Sequence, residues 1–158
     1  MLTQSEADTL IAMPKKAATS ERYTFPAPGG GVVLSLISTD DRIGFLLDVH
    51  RGRIRLTKCT YQTRHKQVVI LARLDVHGPP HTNPSVAEVP VDYLAPYNGI
   101  EVPCPHLHLY VEGFGDRWAV PAPIDRFSSP NDLFATLEHF MSYCNVIEPP
   151  VIDRTLFS

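Results

Sequence analysis

The sequence predicts an α+β domain, a curved antiparallel sheet of about five to seven strands with an N-terminal and a C-terminal helix packed on one face. Three observations predict it. Between Val32 and Val76 there is no proline, while β-branched and aromatic residues recur, the composition of successive strands. A capping signal near each end of the chain opens an apolar pattern of helical period. From His106 to Glu112 polar and apolar residues alternate, as they do on a half-buried strand. The 158 residues fit one domain over 1–158, long enough to bury a core without staples.

The first element is a helix over 2–14, with Thr3 and Glu6 as a capping box and Pro14 as its stop. Pro26, Pro28 and Gly29-Gly30-Gly31 then break the chain. Antiparallel strands are expected over 32–76: Val32 to Ser38, Gly44 to Val49, Arg53 to Tyr61 and Gln67 to Val76. Turns fall at Thr39–Arg42, Arg51-Gly52 and Arg64-His65-Lys66. Seven prolines between Gly78 and Pro105 exclude regular helix and interior strand, so 78–105 is a long loop, a lid or substrate flap if ordered. A hairpin over 106–120 turns at Gly113-Phe114-Gly115-Asp116, with Trp118 expected in the core. A helix over 130–144 closes the chain, with Pro130 at its first position and Leu133, Leu137, Phe140, Met141 and Cys144 as its buried stripe.

Three cysteines without Cys-x-x-Cys spacing indicate free thiols and a reducing, cytoplasmic setting. No apolar run suits a membrane span, and the N-terminus lacks a cleavable leader pattern. The net charge of −3 points to no polyanion partner, but its distribution does. No acidic residue lies between Val49 and Leu74, where Arg51, Arg53, Arg55, Lys58, Arg64, Lys66 and Arg73 supply half of the 14 Lys and Arg residues. Such a cationic stretch attracts phosphates; its ordinary alternative is a solvated, guarded sheet edge.

Chemistry concentrates in two places. On the strand from His106, alternation puts His106, His108, Tyr110 and Glu112 on one face. Arg73, Asp75 and His77 likewise share a face, with a structural ion pair as the ordinary alternative for Arg73 and Asp75. His81 follows, stiffened by Pro79-Pro80 and a Thr82-Asn83-Pro84 turn. Histidines work as acid and base near neutral pH. His81 with His106 or His108, Tyr110 as proton donor and Arg73 for charge form the set that metal-independent RNA cleavage needs. A base takes the ribose 2′-hydroxyl proton, an acid protonates the leaving oxygen, and cations stabilise the phosphorane. Arg51, Arg53, Arg55, Lys58, Arg64 and Lys66 would track the RNA backbone. No cofactor is needed, and no metal is assigned. The rival is a metal-dependent hydrolase, with the His-x-His pair completed by His81 or Glu112, though nearby cations disfavour a dication. A non-catalytic nucleic-acid-binding, antitoxin or anti-defence module is the third reading.

The segments Arg73-Leu74-Asp75, Pro80-His81-Thr82-Asn83-Pro84 and Pro105-His106-Leu107-His108-Leu109-Tyr110, continued by Glu112 to Trp118, resemble those of a family of small prokaryotic proteins of unknown function. That resemblance covers roughly the last two thirds of the chain and implies no activity. More loosely, the order Arg-x-Asp, Pro-His, Pro-His-x-His is similar to that of some endoribonuclease toxins of toxin–antitoxin pairs, which implies RNA as substrate and an antitoxin as partner. The long proline-rich segment between the Pro-His elements departs from that order.

Overall fold

The computed structural model describes residues 1–154. Its elements run α1 (Gln4–Ala12), β1 (Lys15–Ala17), β2 (Tyr23–Thr24), β3 (Gly31–Ser38), β4 (Gly44–Arg51), β5 (Cys59–His65), β6 (Val69–Val76) and β7 (His81–Thr82). A 3₁₀ turn (Asp92–Tyr97), β8 (Glu101–Val102), β9 (His106–Leu109), β10 (Ala119–Pro121), α2 (Leu133–Tyr143), β11 (Val146–Glu148) and β12 (Ile152–Asp153) follow. The class is α+β as expected, but the sheet is larger and mixed. Eight strands lie in the order β10-β9-β6-β5-β4-β3-β1-β11. Every pairing in it is antiparallel except β1 with β11. The extra strands, β1 and β11, are three-residue segments, too short to show a periodicity in sequence.

Each long strand buries alternate residues. The register aligns Leu34 with Leu47, Val49 with Tyr61, Tyr61 with Leu74 and Leu74 with Leu107. This apolar layer shares one core with Ala7 and Leu10 of α1 and with Leu133, Leu137, Phe140 and Met141 of α2. Burial of the helical stripes supplies most of the stability of such short helices. The predicted capping box at Thr3 and Glu6 is present. At α2 the cap is Asp132, whose carboxylate accepts from the Ala135 amide at 3.0 Å, so Pro130 lies outside the helix.

The third long strand lies later than expected, at Cys59–His65 instead of Arg53 to Tyr61. Residues 53–58 form a loop instead of the first half of a strand, because the Gly52 amide donates to the Lys58 carbonyl at 2.8 Å and closes a turn. The next turn sits at Lys66 and Gln67, both at positive φ (51° and 66°), one step beyond the expected place. Neither residue is a usual left-handed turn former, so the sequence carries no signal for it. Among the described residues no helix is long and apolar enough to cross a membrane.

The proline-rich segment is ordered by two devices. Leu94 joins Val111 and Trp118 in a second, smaller core, where Trp118 is buried as expected. Asn83 accepts from the Ala119 amide and donates to its carbonyl, both at 2.8 Å, which ties the segment to β10. β7 and β8 pair within it, His81 opposite Val102.

Candidate active site

Strand register assembles the site. β6 and β9 place Arg73 opposite His108 and Asp75 opposite His106, and β5 places Thr60 opposite Asp75. Residues two apart on a strand share a face. Arg73, Asp75, His106 and His108 therefore form a square on the face turned away from the helices. His81 is brought beside it by the Asn83 anchor. Its ring centre lies 4.5 Å from that of His108 and 6.1 Å from that of His106, and the latter two are 5.0 Å apart.

Hydrogen bonds fix the orientation of each ring. The Nδ1–H of His106 donates to the Val102 carbonyl at 3.1 Å, and that of His108 to the Asp116 carbonyl at 2.8 Å. A carbonyl only accepts, so each Nδ1 carries its proton and each Nε2 faces inward. Both Nε2 atoms approach the same Asp75 oxygen, Oδ2, at 3.2 and 3.3 Å. Thr60 donates to the other oxygen, Oδ1, at 2.8 Å. Arg73 closes the cluster: Nε lies 3.2 Å from Asp75 Oδ2, Nη2 donates to His108 Nε2 at 3.0 Å, and Nη1 pairs with Asp116 Oδ2 at 2.7 Å. With that bond His108 Nε2 acts as an acceptor, whereas His106 Nε2 meets Asp75 as a donor. His81 donates from Nε2 to the Arg117 carbonyl at 2.8 Å, which leaves Nδ1 as its basic atom.

Burial alone would push the Asp75 carboxyl up. The hydrogen bond from His106, the Arg73 charge and the hydrogen bond from Thr60 outweigh it and hold the group well below the usual carboxylate range. His81 is lowered from 6.5, first by burial and then by the neighbouring His108, His106 and Arg73, against the raising effect of its Arg117 carbonyl bond. The groups surround a cavity of about 160 Å³ lined by Lys58, Thr60, Arg73, Asp75, His81, His106 and His108, with Pro79 and Pro80 as part of its wall. His106 and His108 are buried and His81 half-buried. Among the described residues, a larger cleft of about 310 Å³ beside Phe45, Arg64 and Lys66 holds no comparable cluster.

Not every expected residue arrives. Regular pairing on β9 ends at Leu109, so Tyr110 joins the core beneath the helices and its hydroxyl donates to the Leu2 carbonyl at 2.8 Å, away from the histidines. The Glu112 carboxylate accepts from the Gln4 amide. His77 turns away at a φ of +54° and bonds Asn131. Of the six expected RNA-contacting cations, Lys58 lines the cavity, Arg55 donates to the His77 carbonyl nearby, and Arg53 is exposed on the same loop. Arg51 is buried and donates to the Pro26 and Leu56 carbonyls. Arg64 is committed to Asp48 at 2.6 and 2.8 Å. Lys66 follows the far end of β5, roughly 20 Å along the strand from Cys59 at about 3.3 Å per residue.

Asp75, Asp116 and Thr60 belong to the site without having been assigned to it. Asp75 was within reach of sequence reasoning, since it shares a face with Arg73. Asp116 and Thr60 become neighbours only through hairpin and strand pairing. No curated protein and no solved structure matches the chain. A family model does match, over residues 2–146, which covers both helices, the whole sheet face that carries the histidines and the proline-rich segment. By that match the chain belongs to DUF6978, a family of unknown function.

Proposed function

We propose that the protein is a metal-independent endoribonuclease that cleaves RNA through attack of a ribose 2′-hydroxyl on the adjacent phosphorus. The observation that carries this reading is the gathering of three imidazoles and the Arg73 guanidinium around one cavity. His81 Nδ1 takes the 2′-hydroxyl proton, because its other nitrogen is held by Arg117 and burial disfavours the charged ring. The new phosphorus–oxygen bond forms as the bond to the 5′-oxygen breaks, and His106 Nε2 supplies the proton to that leaving oxygen. Arg73, oriented by His108 and Asp116, and Lys58 offset charge on the phosphorane. The products are a 2′,3′-cyclic phosphate and a free 5′-hydroxyl.

RNA would approach over the Arg53 to Lys58 loop beside the cavity, a shorter track than the sequence alone suggested. A cytoplasmic toxin or defence component, held in check by an antitoxin-like protein, is the setting this activity fits. The test is incubation of purified protein with RNA in excess chelator. Cleavage to cyclic-phosphate ends is expected, falling on the order of 100-fold or more in His81→Ala and in His106→Ala. Intact RNA in chelator would overturn the proposal, as would full activity in both variants.

Two other readings are separable. A metal-dependent hydrolase is favoured by the approach of both Nε2 atoms to Asp75 Oδ2; it requires cleavage to stop in chelator. A non-catalytic nucleic-acid-binding or antitoxin module requires that alanine at His106 and His108 be harmless while charge reversal at Arg53 and Arg55 abolishes function.

A further inference from the structure

We propose that Asp75, His106 and His108 also form a binding site for one divalent transition-metal ion of the zinc class, and that its occupation switches the site off. The switching half rests on the ribonuclease reading; the binding half rests on geometry alone. Two ligands at tetrahedral angles, each about 2.0–2.1 Å from zinc, stand about 3.3–3.4 Å apart. His106 Nε2 and His108 Nε2 lie 3.2 and 3.3 Å from Asp75 Oδ2. One ligand atom from each of the three residues lies within 4.8 Å of the other two.

The supporting hydrogen bonds also suit a metal. Each imidazole donates Nδ1–H to a backbone carbonyl and directs Nε2 inward, and the spare carboxylate oxygen is held by Thr60. Outer contacts of this kind fix ligand orientation and strengthen the ligating atom. Two imidazoles with one carboxylate suit zinc, cobalt or nickel better than magnesium or calcium. The fourth position would open into the cavity that His81 lines.

Arg73 decides what occupation does. Its Nη2–H uses the His108 Nε2 lone pair and its Nε–H bonds Asp75 Oδ2, the atoms a metal needs. Arg73 and the ion therefore compete. The guanidinium stays tethered to Asp116 at 2.7 Å and has a resting place when displaced. With the ion bound, His106 Nε2 has no proton to give a leaving oxygen, and Arg73 no longer points at the phosphate.

The experiment is calorimetric titration of tag-free, metal-stripped full-length protein with zinc chloride, with magnesium chloride as the comparison and circular dichroism to confirm the fold of each variant. One zinc per chain and no magnesium binding are expected. Asp75→Asn and His108→Ala should weaken zinc at least about 100-fold, and Cys104→Ser should leave it unchanged, although Cys104 Sγ lies 3.7 Å from His106 Nδ1. Arg73→Gln should tighten zinc on the order of tenfold, a gain that misfolding does not produce. Absence of zinc binding, binding indifferent to Asp75 and His108, or weaker binding in Arg73→Gln would overturn the site. A parallel RNA assay separates the two halves. Cleavage in chelator that stops at one equivalent of zinc supports the switch, and cleavage that persists with zinc bound overturns it. RNA left intact in both conditions, with the titration as expected, overturns the ribonuclease reading and its regulation but leaves the metal site standing.

Discussion

Asp75 organises the cavity because a single oxygen, Oδ2, meets two imidazoles and the Arg73 guanidinium. Losing that charge leaves two inward-facing Nε2 atoms and a partly buried arginine without their common partner, a kind of loss that is costly in low-dielectric surroundings. Asp75→Asn keeps the shape and an acceptor for Thr60 while removing the charge. On the proposed ribonuclease function its expected result is an RNA cleavage rate reduced on the order of 100-fold, with near-native circular dichroism; a rate within twofold of wild type would show that the carboxylate does not position the histidines. Asp75 was legible as a face-mate of Arg73, but its two histidines were not, since they lie about thirty residues further along the chain. Tyr110 shows the opposite failure. Strict alternation assigned it to the histidine face, yet the strand ends one residue earlier and the side chain goes to the core.

At the scale of elements, Lys15 of β1 joins the ends of both helices. It is fully buried, and its Nζ donates to the Ile11, Met13 and Cys144 carbonyls at 2.9, 2.9 and 2.8 Å. Carbonyls at helix C-termini lack intrahelical donors, and a cation suits the dipole there. Burial lowers its pKa from 10.5 to about 8, against the raising effect of Cys144. Below about 8 the ammonium is charged in folded and unfolded chains alike. Between about 8 and 10.5 the unfolded chain binds more protons, so stability rises with pH through that window. Replacement by methionine should cost about 2 kcal/mol near neutral pH through the orphaned carbonyls. The gap to wild type should widen by up to about 3 kcal/mol as pH rises through the window, measured by urea unfolding. A gap independent of pH would refute the assignment. Sequence placed this lysine in no element at all, because a buried lysine on a three-residue strand has no local signature.

For the whole molecule, the acid-free stretch from Val49 to Leu74 was visible as composition, while its use was not. Arg51 goes to the core, Arg64 to Asp48, and Arg53 to Lys58 to the loop beside the cavity. On the proposed ribonuclease function, reversal of Arg53 and Arg55 to glutamate should weaken RNA binding and flatten its dependence on salt, since each phosphate contact contributes to that slope. The same reversal at Lys66 should do neither, and filter binding over a salt series would distinguish them. Equal effects at both places would mean that RNA follows the full strand.

By itself the sequence determined what is set by neighbours in the chain: the α+β class, both helices and the Thr3–Glu6 cap, the long strands, the paired histidines of β9 and the core position of Trp118. These follow from local conformational preference and from the two hydrophobic periods. Only the tertiary structure decided which polar side chains meet. Strand order puts Asp75 against both β9 histidines, the Asn83 anchor brings His81 within ring-contact distance, and the hairpin returns Asp116 to Arg73. Those contacts depend on register and loop closure between distant segments, which burial of the whole apolar layer fixes at once and no local pattern encodes.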